Sequence, residues 1–193
     1  MENIVKKMRK IVLSSIECKK VLMEDDNLLK TLQDIVNEVI QAFKSGNKVL
    51  FCGNGGSAAD AQHLAAELSG RFYKDRPGLN SEALHVNTSY ITAVANDYSF
   101  EDIFSRSVEA KCNSGDVIFG LSTSGNSNNV INAMKVANNL GVITMGFTGS
   151  NGGILYEVCN FCIRVPSEDV ARIQESHIML GHILCEIVEE ELF

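Results

Sequence analysis

Apolar and polar positions alternate in two rhythms along this chain. Over residues 2–24, Ile4, Val5, Met8, Ile11, Val12 and Ile16 recur at three- and four-residue spacing, the stripe of an amphipathic helix. Residues 27–45 repeat it with Leu28, Leu29, Leu32, Ile35, Val36, Val39, Ile40 and Phe43, and Gly46-Asn47 supplies a stop. Beyond this point short apolar runs alternate with helical stretches. Strands are expected at 48–52, 83–86, 116–121, 142–147 and 161–165. Helices are expected at 58–68, 89–95, 100–111, 127–139 and 168–192, with Asn96-Asp97-Tyr98 breaking the second of these. Residues 71–80 read as a polar loop and 148–153 as a turn.

Strands that are apolar throughout and alternate with helices imply an α/β fold: a three-layer α-β-α sandwich around a parallel sheet of about five strands. The two helices before the first strand exceed what the layers need, and their stripes suit packing against another subunit. Length favours one domain over residues 1–193, with 1–45 as oligomerisation helices and 48–193 as the core.

Two loops leave strands at carboxyl ends, where ligands bind in such sheets. In Ser122-Thr-Ser-Gly-Asn-Ser127, Ser122, Thr123, Ser124 and Ser127 offer hydroxyls, Gly125 lets the chain bend, and Ser127 is placed to cap the next helix. A helix N-terminus favours an anion. The loop has no lysine, so a small phosphorylated metabolite fits better than ATP. Asn54-Gly55-Gly56-Ser57 after the first strand repeats the device, and one pocket could hold both.

Charge and composition narrow the field. A net charge of −7 disfavours nucleic acid. No apolar run is long enough for a membrane span, and the start lacks a secretion signal. The six cysteines therefore read as reduced thiols, and Cys159-x-x-Cys162 as core packing. A G-x-S-x-G elbow and a dinucleotide fingerprint are both missing.

Candidate reacting groups fall on two helices. His63 and Glu67, four apart, share a face and form either a base with an orienting partner or half of a metal site. Gln174, His177 and His182 lie on the last helix, and spacing does not choose between the two histidines. Asp97 and Asp169 are further carboxylates, the latter also a natural first-turn acid. A phosphate anchor with one carboxylate and one histidine suits proton transfer beside a carbonyl.

The serine loop resembles the signature of sugar isomerase (SIS) domains. Together with Cys52-Gly-Asn-Gly-Gly-Ser57, His63-x-x-x-Glu67, Asn96-Asp97 and Gln174-Glu-x-His177-x(4)-His182, it resembles the phosphoheptose isomerases within that family. The resemblance runs from the N-terminal helices to the last helix. It implies the SIS fold, a cytoplasmic homotetramer with sites between subunits, and isomerisation of D-sedoheptulose 7-phosphate to D-glycero-D-manno-heptose 7-phosphate. That would be an early step toward ADP-heptose for lipopolysaccharide or capsule. It implies Glu67 as the base on carbon and His182 as the group acting on oxygen. Asn54, Gly55, Gly56, Ser57, Asn96, Asp97, Asp169 and Gln174 would contact the sugar, and Ser122, Thr123, Ser124 and Ser127 its phosphate. His63, Glu67, Gln174 and His182 would hold one zinc ion per subunit, and His177 would be a helix-face residue. A non-catalytic SIS-domain adaptor for a replication initiator is the alternative, disfavoured by the complete set Glu67, Gln174 and His182. A sugar-phosphate-sensing regulator would need a DNA-binding domain that residues 1–45 are too few to supply.

Overall fold

The computed structural model describes residues 3–193; the expected helix start at residue 2 lies outside them. Eight helices and five strands follow in the order α1 (Ile4–Glu24), α2 (Asp26–Lys44), β1 (Val49–Gly53), α3 (Gly56–Ser69), β2 (Ser81–Ala83), α4 (Thr88–Asp97), α5 (Ser105–Lys111), β3 (Val117–Leu121), α6 (Asn128–Asn139), β4 (Ile143–Thr148), α7 (Gly153–Val158), β5 (Phe161–Arg164) and α8 (Val170–Leu192). A single 3-10 turn, Phe100–Asp102, precedes α5. The strands form one parallel sheet in the order β2-β1-β3-β4-β5. From β1 the chain steps outward to β2 on one side, and from β3, beside β1, it steps outward to β4 and β5 on the other. The carboxyl ends of β1 and β3 thus flank a topological switch point, where open α/β sheets form a crevice.

Alternate residues of each strand feed two cores. Val49 and Phe51 of β1 join Val117, Phe119 and Leu121 of β3 beneath α2, α3 and α8. Leu50, Cys52 and Ile118 point the other way, under α5 and α6. Phe51 stacks on Phe119 with ring centroids 4.9 Å apart. Gly120 lets α6 settle on β3, since a Cβ there would stand 2.8 Å from Val130. The three layers and the parallel sheet are those expected.

Several local expectations change. The edge strand β2 sits at 81–83 instead of 83–86, which leaves His85 and Val86 beyond it. Asn96 and Asp97 end α4 rather than break it. The expected helix at 100–111 is split, because Ser99 accepts from Glu101 N–H and donates to Asp102 Oδ2, closing a local turn first. The 148–153 turn leads into α7, a helix too short to show periodicity.

His177 is fully buried, which corrects its reading as a helix-face residue. It lies three residues before Leu180 and seven before Leu184, both buried on α8. Its Nε2–H donates to the Thr148 carbonyl at 3.1 Å, and its Nδ1 has no partner. Burial pulls the imidazole down to about 4, with the bond to Thr148 opposing. Unfolded histidine takes a proton below about 6.5, whereas folded His177 does so only near 4. Stability therefore falls as pH drops through that window, by on the order of 3 kcal/mol. We expect the melting temperature to decline from pH 6.5 toward 4 and His177→Gln to flatten that part of the profile. Identical slopes in variant and parent would exclude His177 as the cause.

Candidate active site

Two groups of residues stand out. The first is the crevice at the switch point. In the loop after β3, the Ser122 hydroxyl lies 2.9 Å from that of Ser127 and 3.4 Å from that of Ser124, so three hydroxyls converge. Ser127 does occupy the N-cap of α6, but its side chain makes no capping bond, because it turns to Ser122 instead. The hydroxyls and the N-terminus of a twelve-residue helix thus face the same point.

Gly125, at φ +67°, is braced from behind by the β4–α7 turn. A Cβ on Gly125 would stand 1.9 Å from the Gly152 carbonyl oxygen, and Leu155 N–H donates to the Gly125 carbonyl. Gly152 and Gly153, both at positive φ, make this approach possible. The loops after β1 and β3 are joined by a reciprocal amide pair. Asn54 donates to Asn129 Oδ1 at 2.8 Å, and Asn129 donates back at 2.9 Å. Buried Asn129 escaped the sequence reading, although its place in the first turn of α6, opposite an asparagine loop, was a usable signal. Gly55 opens α3 at φ +56°, and Ser57 is buried at its first turn. Thr123 and Ser124 also border a cleft of about 360 Å³ with Asn126, Ser150, Ser167 and Glu168.

The second group lies two turns farther along α3. His63 Nε2 is 3.1 Å from Glu67 Oε1 and 2.9 Å from His182 Nε2. These three donor atoms lie within 4.8 Å of one another. The i,i+4 spacing on α3 and the approach of α8 produce this, and Gly181 permits the approach, since a Cβ there would fall 2.5 Å from Leu64. Between His177 and His182, which spacing left open, it is His182 that joins the α3 pair. Two imidazoles and a carboxylate match a three-ligand metal site with an open position. Asp60, one turn before His63, is half-buried with an unpartnered Oδ2; burial lifts its carboxyl while the His63 charge opposes.

The remaining expected residues make the following contacts. The Gln174 amide rests against Gly56, at the end of α3 that meets the crevice. Asn96 and Asp97 are exposed, and their side chains bond to each other at 2.9 Å. Asp169 caps α8 by accepting Ala171 N–H at 2.9 Å. The paired cysteines do pack: the sulfurs of Cys159 and Cys162 both rest against Gly146, and all six cysteines are unpaired.

A family model described as SIS domain matches residues 17–149. The chain belongs to the SIS family. A phosphoheptose isomerase of Clostridium acetobutylicum is 54 % identical over 180 residues, spanning 93 % of this chain and 92 % of the relative. Among solved structures, a phosphoheptose isomerase from Neisseria gonorrhoeae is 37 % identical, with a TM-score of 0.91 over 97 % of this chain and 100 % of that one. One from Francisella tularensis is 34 % identical, with a TM-score of 0.93 over 97 % and 99 %. The fold of these two relatives matches that of this chain along nearly its whole length.

Proposed function

We propose that this SIS protein is an aldose–ketose isomerase interconverting D-sedoheptulose 7-phosphate and D-glycero-D-manno-heptose 7-phosphate. The observation that carries the reading is the His63–Glu67–His182 group, assembled from two helices in a chain that also holds a serine-lined anion cradle. Relatives of nearly full-length match bear the name phosphoheptose isomerase.

In this reading the cradle binds the phosphate through Ser122, Thr123, Ser124 and Ser127, with Asn54, Gly55, Gly56 and Ser57 along the adjoining loop. Asn96, Asp97, Asp169 and Gln174 contact sugar hydroxyls. The Glu67 carboxylate removes a proton from one of C1 and C2 and returns it to the other, through an ene-diol. His182 moves the proton on oxygen. Anchoring the phosphate far from the reacting carbons lets binding energy hold C1 and C2 against Glu67.

The donor set fits a metal. His63, Glu67 and His182 would hold it; Gln174, which lies against Gly56 at the cradle end of α3, would join as a further ligand only across a subunit boundary, and we read the metal as zinc. When bound, the metal would supply Lewis-acid polarisation of the sugar carbonyl, making the adjacent proton easier to remove. Protein purified without chelator should carry about one zinc ion per chain, and EDTA should lower both activity and melting temperature. Full activity and an unchanged melting temperature after metal removal would exclude a working metal site.

From Gly56 to Glu67, α3 rises about 16 Å, so the cradle and the reacting pair of one chain lie toward opposite ends of that helix. A neighbouring protomer resolves this, by presenting its pair to the first chain's cradle. The N-terminal helix supports an assembly: Ile4, Met8 and Val12 are more than half exposed, and only Cys18 and Leu22 of α1 are buried. We read the protein as a cytoplasmic homotetramer supplying a precursor of surface polysaccharide. Among the described residues no helix is long and apolar enough to cross a membrane. An adaptor would have no use for the assembled trio.

Incubation with sedoheptulose 7-phosphate tests the activity: an aldose product should accumulate to a fixed ratio. A folded protein that forms none would overturn the proposal.

A further inference from the structure

Directly behind the trio lies a charged cluster that the proposed reaction does not use. Arg76 and Glu189 form an ion pair, Nε to Oε1 2.9 Å, with both side chains only 2 % exposed. Two buried charges destabilise a fold unless further hydrogen bonds complete their geometry. Here they do. Glu189 accepts the backbone N–H groups of Phe72, Tyr73 and Lys74 at 3.0, 2.7 and 2.8 Å. Arg76 donates to the carbonyls of Glu67 (2.9 Å), Leu68 (2.8 Å), Gly70 (3.2 Å) and Pro77 (3.1 Å). Burial works against the Glu189 carboxylate, but the N–H groups of Lys74, Phe72 and Tyr73 and the Arg76 side chain outweigh it and hold the group down to about 2.

The placement of these bonds matters more than their number. The carbonyls of Glu67 and Leu68 belong to the last turn of α3, where backbone acceptors lack helical partners and a cation is favoured. Glu189 lies on α8 seven residues after His182, two turns along the same face. The pair therefore ties the turn bearing Glu67 to the helix bearing His182. A second tie runs through Phe72: Glu189 holds its N–H, and its ring centroid lies 5.8 Å from that of His182. The Gly181–Leu64 contact sets how close the two helices come. The ion pair sets how far one can slide along the other.

We infer that Arg76 and Glu189 are positioning residues, fixing the axial register of α3 against α8 and so holding Glu67 and His182 in reacting geometry. This rests on the reading of Glu67 and His182 as the groups that act on the sugar. A displacement of about 1 Å at such a site costs up to a hundredfold in rate.

Two variants test it. Glu189→Gln keeps the size and one acceptor oxygen but loses the charge and the second acceptor. Arg76→Met with Glu189→Met removes both charges, so that neither is left buried and alone. For each, kcat and KM with sedoheptulose 7-phosphate are measured per mole of folded protein, beside the melting temperature. The contact between the His63 and His182 rings is followed by NMR. The inference predicts kcat down about tenfold to a hundredfold, KM within about threefold, and a weakened ring contact in protein that remains folded at the assay temperature. Unchanged kcat with an intact ring contact, or a kcat loss matched by the unfolded fraction, would overturn it. Glu67→Gln is assayed in parallel. If that variant is inactive while Glu189→Gln is fully active, the positioning role fails and the reading of the base stands. If Glu67→Gln is active, the reading of the base fails, and the ring contact alone decides whether the pair sets the register.

Discussion

Glu67→Gln should lower kcat by about a thousandfold or more while leaving sugar-phosphate binding within a fewfold of the parent. A carboxamide has nearly the size of a carboxylate and still accepts a hydrogen bond, but it does not take up a proton from carbon near neutral pH. The fold should tolerate the change. The Glu67 side chain is about a quarter exposed and its partner His63 about half exposed, so losing their contact costs under about 1 kcal/mol. Binding should persist because the phosphate is held by the serine loop, at the other end of the substrate. Calorimetry and turnover on one preparation, with metal content determined alongside, separate loss of the base from loss of a ligand. Full turnover in this variant would remove Glu67 from the chemistry.

Ser122→Ala combined with Ser124→Ala should cut kcat/KM by about a hundredfold or more, chiefly through a higher KM. Hydrogen bonds to a charged group contribute roughly 1.5–3 kcal/mol each, and this change removes two. Ser122 is buried and its hydroxyl gathers those of Ser124 and Ser127, so it also fixes where the others point. The loop backbone should survive, since Gly125 N–H donates to the Ser122 carbonyl and Gly149 N–H to that of Thr123, neither involving a hydroxyl. Inorganic phosphate should inhibit the parent more strongly than the variant. An unchanged KM would place the phosphate elsewhere.

Much of this architecture was readable in the order of residues. Helical periodicity and wholly apolar runs fix element type wherever a run is long, and the long helices α2 and α8 lie within two residues of expectation at both ends. Where the reading slipped, a short-range hydrogen bond or a distant contact decided the outcome. Ser99 closes its own turn and cuts one expected helix in two. Ser127 abandons its cap for Ser122, a choice that depends on the loop being folded. Gly152-Gly153 looked like punctuation, yet its role is to let another loop approach, which no local pattern encodes.

The candidate site was legible in the same uneven way. His63 and Glu67 were visible as an i,i+4 pair, and the resemblance to SIS isomerases singled out His182. That His177 is buried instead was latent in its spacing from Leu180 and Leu184, which place it on the apolar face. Arg76 and Glu189 carried no such signal. They are 113 residues apart, and each looks like an ordinary surface charge until the fold removes both from water.

The most direct test is a structure of the assembled protein carrying Glu67→Gln, with sedoheptulose 7-phosphate bound. The account predicts the phosphate on the hydroxyls of Ser122, Ser124 and Ser127, with C1 and C2 of the same molecule against residue 67 and His182 of that chain or its neighbour. A phosphate bound away from the serine loop, or a sugar whose first two carbons touch neither residue in any protomer, would contradict it.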